Sequence, residues 1–472
     1  MEDNLAFAPA TEVRRMIADR EVSPVELTGM FLERIDALDG KLNSYLTVAA
    51  DSALAEARGA EDAVMRGEEL GPLHGVPISV KDLEMSAGLR TTGGSLLFED
   101  RVPATDSAVV ERVKAAGAVI LGKTNTPEFG LLGHTQNRLG DHCRNPWNTE
   151  RTTGGSSGGA GASVVAGLCT LATGSDGGGS IRIPSALCGT YGIKPTQGRV
   201  PLYAGVPLPP FANHFSQSGP MTRTVRDSAL LLQVLAGHYP NDVNSLRATP
   251  GDYMAAADLG VEGLRIAWSP DYGYGAVERE VVSRCREAAG VFEELGCTVE
   301  EVNLDLESPI DAFWDLFCSV SNARYAAMVG DNRDLLTDYG RTCIEHGATV
   351  TGPQYARALG TRAALMARFG TLLDEYDLLL SPTVSAGAFP VGEPPSVIDG
   401  KEVDPFSGFF PFTYPINMIG HPAASIPCGF TSEDLPVGLH IVGRWGDEET
   451  VIAASAAFEE ARPWAHMRPP VS

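Results

Sequence analysis

Apolar residues recur at helical spacing through Leu27, Met30, Phe31, Ile35 and Leu38, with polar residues between them. That pattern predicts a helix with one buried stripe. Ser23-Pro24-Val25-Glu26 marks its start, with Ser23 as N-cap, Pro24 at the first helical position and Glu26 closing a capping box; Gly40 is the expected stop. A helix rich in Ala and Glu follows over 51–66. The period then changes. Ile78, Val80 and Leu83 frame a strand within Leu73–Leu83, and Lys81 stands inside it. Asp106 is expected to cap a helix to Ala116, which leads into a strand over 118–124.

Periodicity lapses over 125–148, a long turn-rich loop of the kind that often carries function in a compact domain. Beyond it the pattern predicts a helix over 158–168, a strand over 169–173 and a helix opening at Ser180. A helix over 224–235 precedes a β-α-β run: strand 264–268, helix 277–295, strand 297–304. Helices over 310–326 and 353–376, a buried strand over 378–383, a hairpin (424–427 and 437–442) and a helix capped by Asp447 complete the chain. Strands and helices alternate from end to end, without repeats or a low-complexity linker. The expectation is one large α/β domain over 1–472 with a mostly covered sheet.

Two glycine–serine turns, at 153–159 and 174–180, bracket the apolar run 163–172. A flexible linker would not contain such a run, so two loops meeting at one end of a sheet are expected. Gly155-Ser156-Ser157-Gly158-Gly159 formally matches a nucleophile elbow centred on Ser157, but that motif needs a strand before it, and 144–151 reads as loop. Gly177-Gly178-Gly179-Ser180 fits a nucleophile better: consecutive glycines let several backbone N–H groups converge where an oxyanion develops. No histidine is tied to either serine by local spacing, which leaves Lys81 as the candidate base. A lysine on a surface strand carries no chemistry. Here the apolar flanks imply at least partial burial, which favours the neutral amine.

Composition removes several classes. Of 472 residues, 43% are hydrophobic and 20% charged, which excludes global disorder. Net charge is −24, so phosphate backbones are repelled and nucleic acid is not an expected partner. Eight cysteines, none in C-x-x-C, read as isolated buried thiols. Asp141-His142-Cys143 is the one local ligand-like cluster and has no partner at metal spacing; neither a metal nor a cofactor is expected. The start, Met1-Glu2-Asp3-Asn4, has no signal-peptide character and no apolar run suits a membrane span, so a cytoplasmic enzyme is the default expectation.

The motifs together resemble the amidase signature family. The matching pieces are Gly75–Asp82, Gly122–Phe129, Gly154–Gly159, Gly178–Pro184, Tyr414–Asn417 and Leu435–Leu439, and the resemblance covers nearly the whole chain. The spacings, 75 residues from Lys81 to Ser156 and 24 from Ser156 to Ser180, agree with it. The resemblance implies a mixed sheet with helices on both faces, a signature core over about 70–200 and variable pocket elements near 125–148, 200–220 and 305–415. It implies a Ser–cis-Ser–Lys triad: Ser180 as nucleophile, Ser156 as bridging serine and Lys81 as base. Gly177, Gly178, Gly179 and Ser180 would supply the oxyanion amides. Asp176 and Arg182 flank the nucleophile, as supports of the site or as a plain structural ion pair. Gly177 departs from the pattern, since many relatives carry a larger apolar residue there.

The family's reactions span amides, cyclic amides, carbamates and the glutaminase subunit of tRNA-dependent amidotransferases. That subunit binds glutamine with an acidic residue at the position taken here by Phe410, so a small apolar or aryl amide is the favoured substrate, with water as co-substrate. Phe129, Leu131, Leu132, Phe211, Phe410 and Phe412 are pocket candidates, with core packing the competing reading. A monomer or homodimer is expected. An inactive binding protein would be expected to lack Lys81, Ser156 or Ser180, and all three are present.

Overall fold

Eleven strands make one mixed sheet in the computed structural model, which describes residues 5–205 and 215–472. In chain order they are β1 (Tyr45–Val48), β2 (Pro77–Lys81), β3 (Val119–Thr124), β4 (Leu171–Asp176), β5 (Tyr191–Lys194), β6 (Gln217–Thr222), β7 (Arg265–Trp268), β8 (Thr298–Glu301), β9 (Leu378–Pro382), β10 (Ala423–Phe430) and β11 (Pro436–Gly443). In space they run β1-β3-β2-β4-β6-β5-β10-β11-β9-β7-β8. Parallel pairs β3/β2/β4 and β9/β7/β8 flank an antiparallel centre. The sheet is covered by helices, as the alternation of elements predicts. β2, β3, β6, β9 and β11 are buried along their full length, so their side chains cannot escape to water on either face.

Local chemistry explains most boundaries. Ser23 accepts hydrogen bonds from the Val25 and Glu26 amides and starts the helix Pro24–Leu42. That helix runs through Gly40 and ends at Asn43, which takes the left-handed conformation (φ 51°) expected of a C-cap. Ser107, not Asp106, caps the helix Ala108–Ala115; Asp106 instead pairs with Lys114 at 2.8 Å. The helix expected at Ser180 begins at Arg182 and ends at Cys188. Residues 144–151, read as loop, instead fall largely in a two-stranded ribbon that pairs Arg144–Asn145 with Asn148–Thr152.

Some elements carry no sequence signal. β6 reads Gln-Ser-Gly-Pro-Met-Thr, poor in strand formers, yet it is buried throughout and paired on both sides. Its neighbours impose the extended conformation. β1, β5 and the helix Tyr414–Ile419 are too short to show a period. Phe211 and part of the expected 200–220 element lie outside the described residues. Among the described residues, no helix is long and apolar enough to cross a membrane.

Candidate active site

Lys81 is the last residue of β2, between β3 and β4, and has no solvent exposure. Its ammonium nitrogen lies 2.7 Å from Ser156 Oγ, 2.8 Å from Ser157 Oγ and 3.2 Å from the Ser175 carbonyl. Burial pulls its pKa from the usual 10.5 down to about 7, against the opposing pull of Asp176 and Glu84. A neutral amine near pH 7 is what the chemistry of a base requires.

The two glycine–serine turns meet beside it. The Ser157 amide donates to the Ser180 carbonyl at 3.1 Å, and the Ser175 amide donates to Ser157 Oγ at 3.2 Å. The Gly155–Ser156 peptide bond is cis. Ser156 is 2% exposed and Ser180 8%. Ser157, rejected from sequence as a nucleophile, is a second partner of Lys81; adjacency to Ser156 in the same turn was the available signal.

The second turn, which carries Ser180, is clamped from behind. Asp176, at the end of β4, accepts from the Gly179 amide (2.7 Å), the Ile181 amide (3.2 Å) and Arg182 Nε (2.9 Å). Asn417 donates to Asp176 Oδ1 at 2.8 Å. Both members of the Asp176–Arg182 pair are fully buried. Burial alone raises the Asp176 pKa, but Arg182 outweighs it and holds the carboxyl well below the usual carboxylate range. The pair is therefore a buried ion pair whose carboxylate also holds the Gly179 and Ile181 amides.

The clamp corrects one expectation. The Gly179 N–H, assigned from sequence to an oxyanion, is occupied by Asp176. Gly177, Gly178 and Ser180 amides make no hydrogen bond among the described residues. Gly179 has φ +130°, and a Cβ there would sit 2.3 Å from Thr413 Oγ1, so only glycine fits.

Known proteins place the chain in a family. The amidase family model matches residues 26–452. The protein belongs to the amidase signature family. It is an amide hydrolase. An acylamidase of Rhodococcus erythropolis is 38% identical, covering 99% of this chain and 98% of the relative. A glutamyl-tRNA(Gln) amidotransferase subunit of Moorella thermoacetica is 39% identical, covering 98% of this chain and 99% of the relative. Among solved structures, a bacterial aryl acylamidase superposes with a TM-score of 0.92 at 35% identity, over 97% of each chain.

Around the Ser180 turn of the amidase the sequence candidates divide. Phe129, in the left-handed region at φ 54°, stacks on Tyr325 with ring centroids 4.2 Å apart. Leu131 packs in the same cluster, and Leu132 is buried beside them in sequence. A Cβ on Gly130, which follows Phe129, would lie 3.2 Å from Ser156 Oγ, so this stretch runs against Ser156. Phe410 meets Phe409 edge-on at 4.9 Å and closes on Gly133. Phe412 is a core position instead: it is unexposed, with its ring 5.0 Å from Tyr272.

The aromatic side chains nearest the turn were missed from sequence. A Cβ at Gly178 would meet Phe313 Cζ at 3.0 Å, and one at Gly177 would meet Phe317 Cε2 at 3.5 Å. These rings stack at 5.2 Å on the helix Ile310–Val329, and Phe313 also meets Tyr414 at 5.1 Å. Their four-residue spacing was visible but reads equally as a packing stripe. Of the ligand-like cluster, Asp141 pairs with Arg144 at 2.8 Å and Cys143 is buried.

Proposed function

We propose that the protein hydrolyses a small apolar or aryl amide through an acyl-enzyme on Ser180, with Lys81 as base and Ser156 as proton bridge. One observation carries this reading: a fully buried lysine, its pKa lowered by burial to about 7, stands 2.7 Å from the serine of the first turn. Neutral Lys81 takes the Ser156 proton as Ser156 takes that of Ser180. Ser180 Oγ then attacks the carbonyl carbon. The oxyanion forms against the Gly177, Gly178 and Ser180 amides, which are unoccupied among the described residues. The proton returns through Ser156 to the leaving amine, the C–N bond breaks, and water hydrolyses the ester along the same relay. The relay requires the Ser180 hydroxyl to donate to Ser156 Oγ, a contact that at catalytic sites often tightens only with substrate bound.

This mechanism fixes a pH dependence. The base works only when deprotonated, so kcat/KM rises with pH through the Lys81 pKa of about 7 and levels above it. A flat profile between pH 5 and 9, measured with a neutral amide, would remove Lys81 from the role of base. Chelators should leave the rate unchanged.

The rings around the turn support the substrate class. Phe313, Phe317, Phe410 and Tyr414 offer rings and no charge beside the turn. The rival reading, a glutaminase-type subunit, is favoured by the 39% identity to the Moorella amidotransferase chain. Phe410 argues against it, because an aromatic ring cannot neutralise an amino acid's ammonium as a carboxylate does. A screen of anilides, aliphatic amides, carbamates and esters should find kcat/KM for the best anilide at least about 100-fold above glutamine, a gap of roughly 3 kcal/mol. Comparable rates would favour the glutaminase reading.

A further inference from the structure

The Arg182 guanidinium carries five N–H donors and no acceptor. Nε donates to Asp176 Oδ2 at 2.9 Å. Nη2 is shared among Asp176 Oδ1 (3.0 Å), the Thr413 carbonyl (3.0 Å) and Asn417 Oδ1 (2.6 Å). Nη1 reaches one acceptor among the described residues, His440 Nε2 at 3.0 Å. Since Arg182 can only donate, Nε2 must accept, and the imidazole is neutral with its hydrogen on Nδ1, 3.4 Å from Ser381 Oγ. His440 is unexposed on β11, opposite Ser381 of β9 and Ser425 of β10. The sheet therefore fixes where this acceptor stands.

We propose that His440 is a positioning residue for hydrolysis: it sets the rotation of Arg182, which orients Asp176 and so the Gly179 and Ile181 amides on either side of Ser180. The residue acts through two others and touches no reacting atom. The sequence offers no sign of it, since His440 lies 258 positions from Arg182 within an otherwise apolar strand. What the position requires is a neutral acceptor. A carboxylate there would compete with Asp176 for Arg182, and an apolar side chain would leave Nη1 without a partner in a place water does not reach. The proposal rests on Ser180 as nucleophile.

The test compares the wild type, His440→Gln and His440→Leu, each checked for folding by circular dichroism and thermal unfolding. Turnover of a 4-nitroanilide gives kcat and KM, and mass spectrometry follows fluorophosphonate labelling of Ser180. Gln keeps an acceptor oxygen and should hold kcat within about threefold of wild type. Leu should lower kcat and the labelling rate by about thirtyfold or more, with KM changed less than about threefold, the range of one lost buried hydrogen bond to a charged group. If Leu does not fold, His440→Met is read in its place. A folded Leu or Met variant with kcat within threefold of wild type overturns the proposal, as does a Gln variant that falls as far as Leu. Wild-type labelling away from Ser180 would instead remove the nucleophile reading beneath it.

Discussion

Replacing Lys81 by methionine is expected to lower kcat/KM for amide hydrolysis by about 10⁴-fold, the upper range for loss of a general acid–base group. The fold should survive. Methionine keeps the volume of the buried stem, and the lysine itself is a burden on stability. The unfolded chain binds this proton up to its usual 10.5, whereas the folded chain releases it near 7. Stability therefore rises with pH across that window, and the cost is fully present below it. At neutral pH that cost is roughly 4 kcal/mol. The variant gives up contacts to Ser156 and Ser157, worth about 1 kcal/mol each. Urea unfolding at pH 7 should find it no less stable than wild type, with the difference moving toward wild type at pH 10. A variant within tenfold of wild-type activity would mean that another group takes the Ser156 proton.

Asp176→Ala should do the opposite damage, to the fold first. It leaves Arg182 buried with no exposure and without its anion. Breaking a buried pair from one side costs about 3–5 kcal/mol, far more than a surface pair. The Gly179 and Ile181 amides lose their acceptor in the same step. Urea unfolding at pH 7 should record a loss in that range, and kcat should fall with it because the turn holding Ser180 is no longer clamped. A loss below about 1 kcal/mol would show that Asn417, Thr413 and His440 hold Arg182 unaided.

The fold was legible where periodicity was strong. The helices at 24–42 and 279–294 and the β-α-β run announce themselves through apolar spacing and caps. β6 did not, because its extended form comes from two neighbours and not from its own residues. The same division holds at the site. Ser156, Ser180 and Lys81 stood out because glycine turns and a strand-borne lysine are unusual in sequence. Structure adds that they converge: Lys81 reaches Ser156, and the two turns share a backbone hydrogen bond. Which glycine amides remain unoccupied was not legible, since that depends on Asp176 turning back onto Gly179. Phe313 and Phe317 were hidden for another reason: rings set against a glycine turn and a plain core stripe share one pattern.

The central claim is that Ser180 is the nucleophile and that Lys81 activates it. Incubation with a fluorophosphonate probe, followed by peptide mass spectrometry, reads both parts. The wild type should carry one adduct, on Ser180; Ser180→Ala should carry none, and Lys81→Met should label far more slowly. An unlabelled wild type, or full labelling of Ser180→Ala, would contradict the claim.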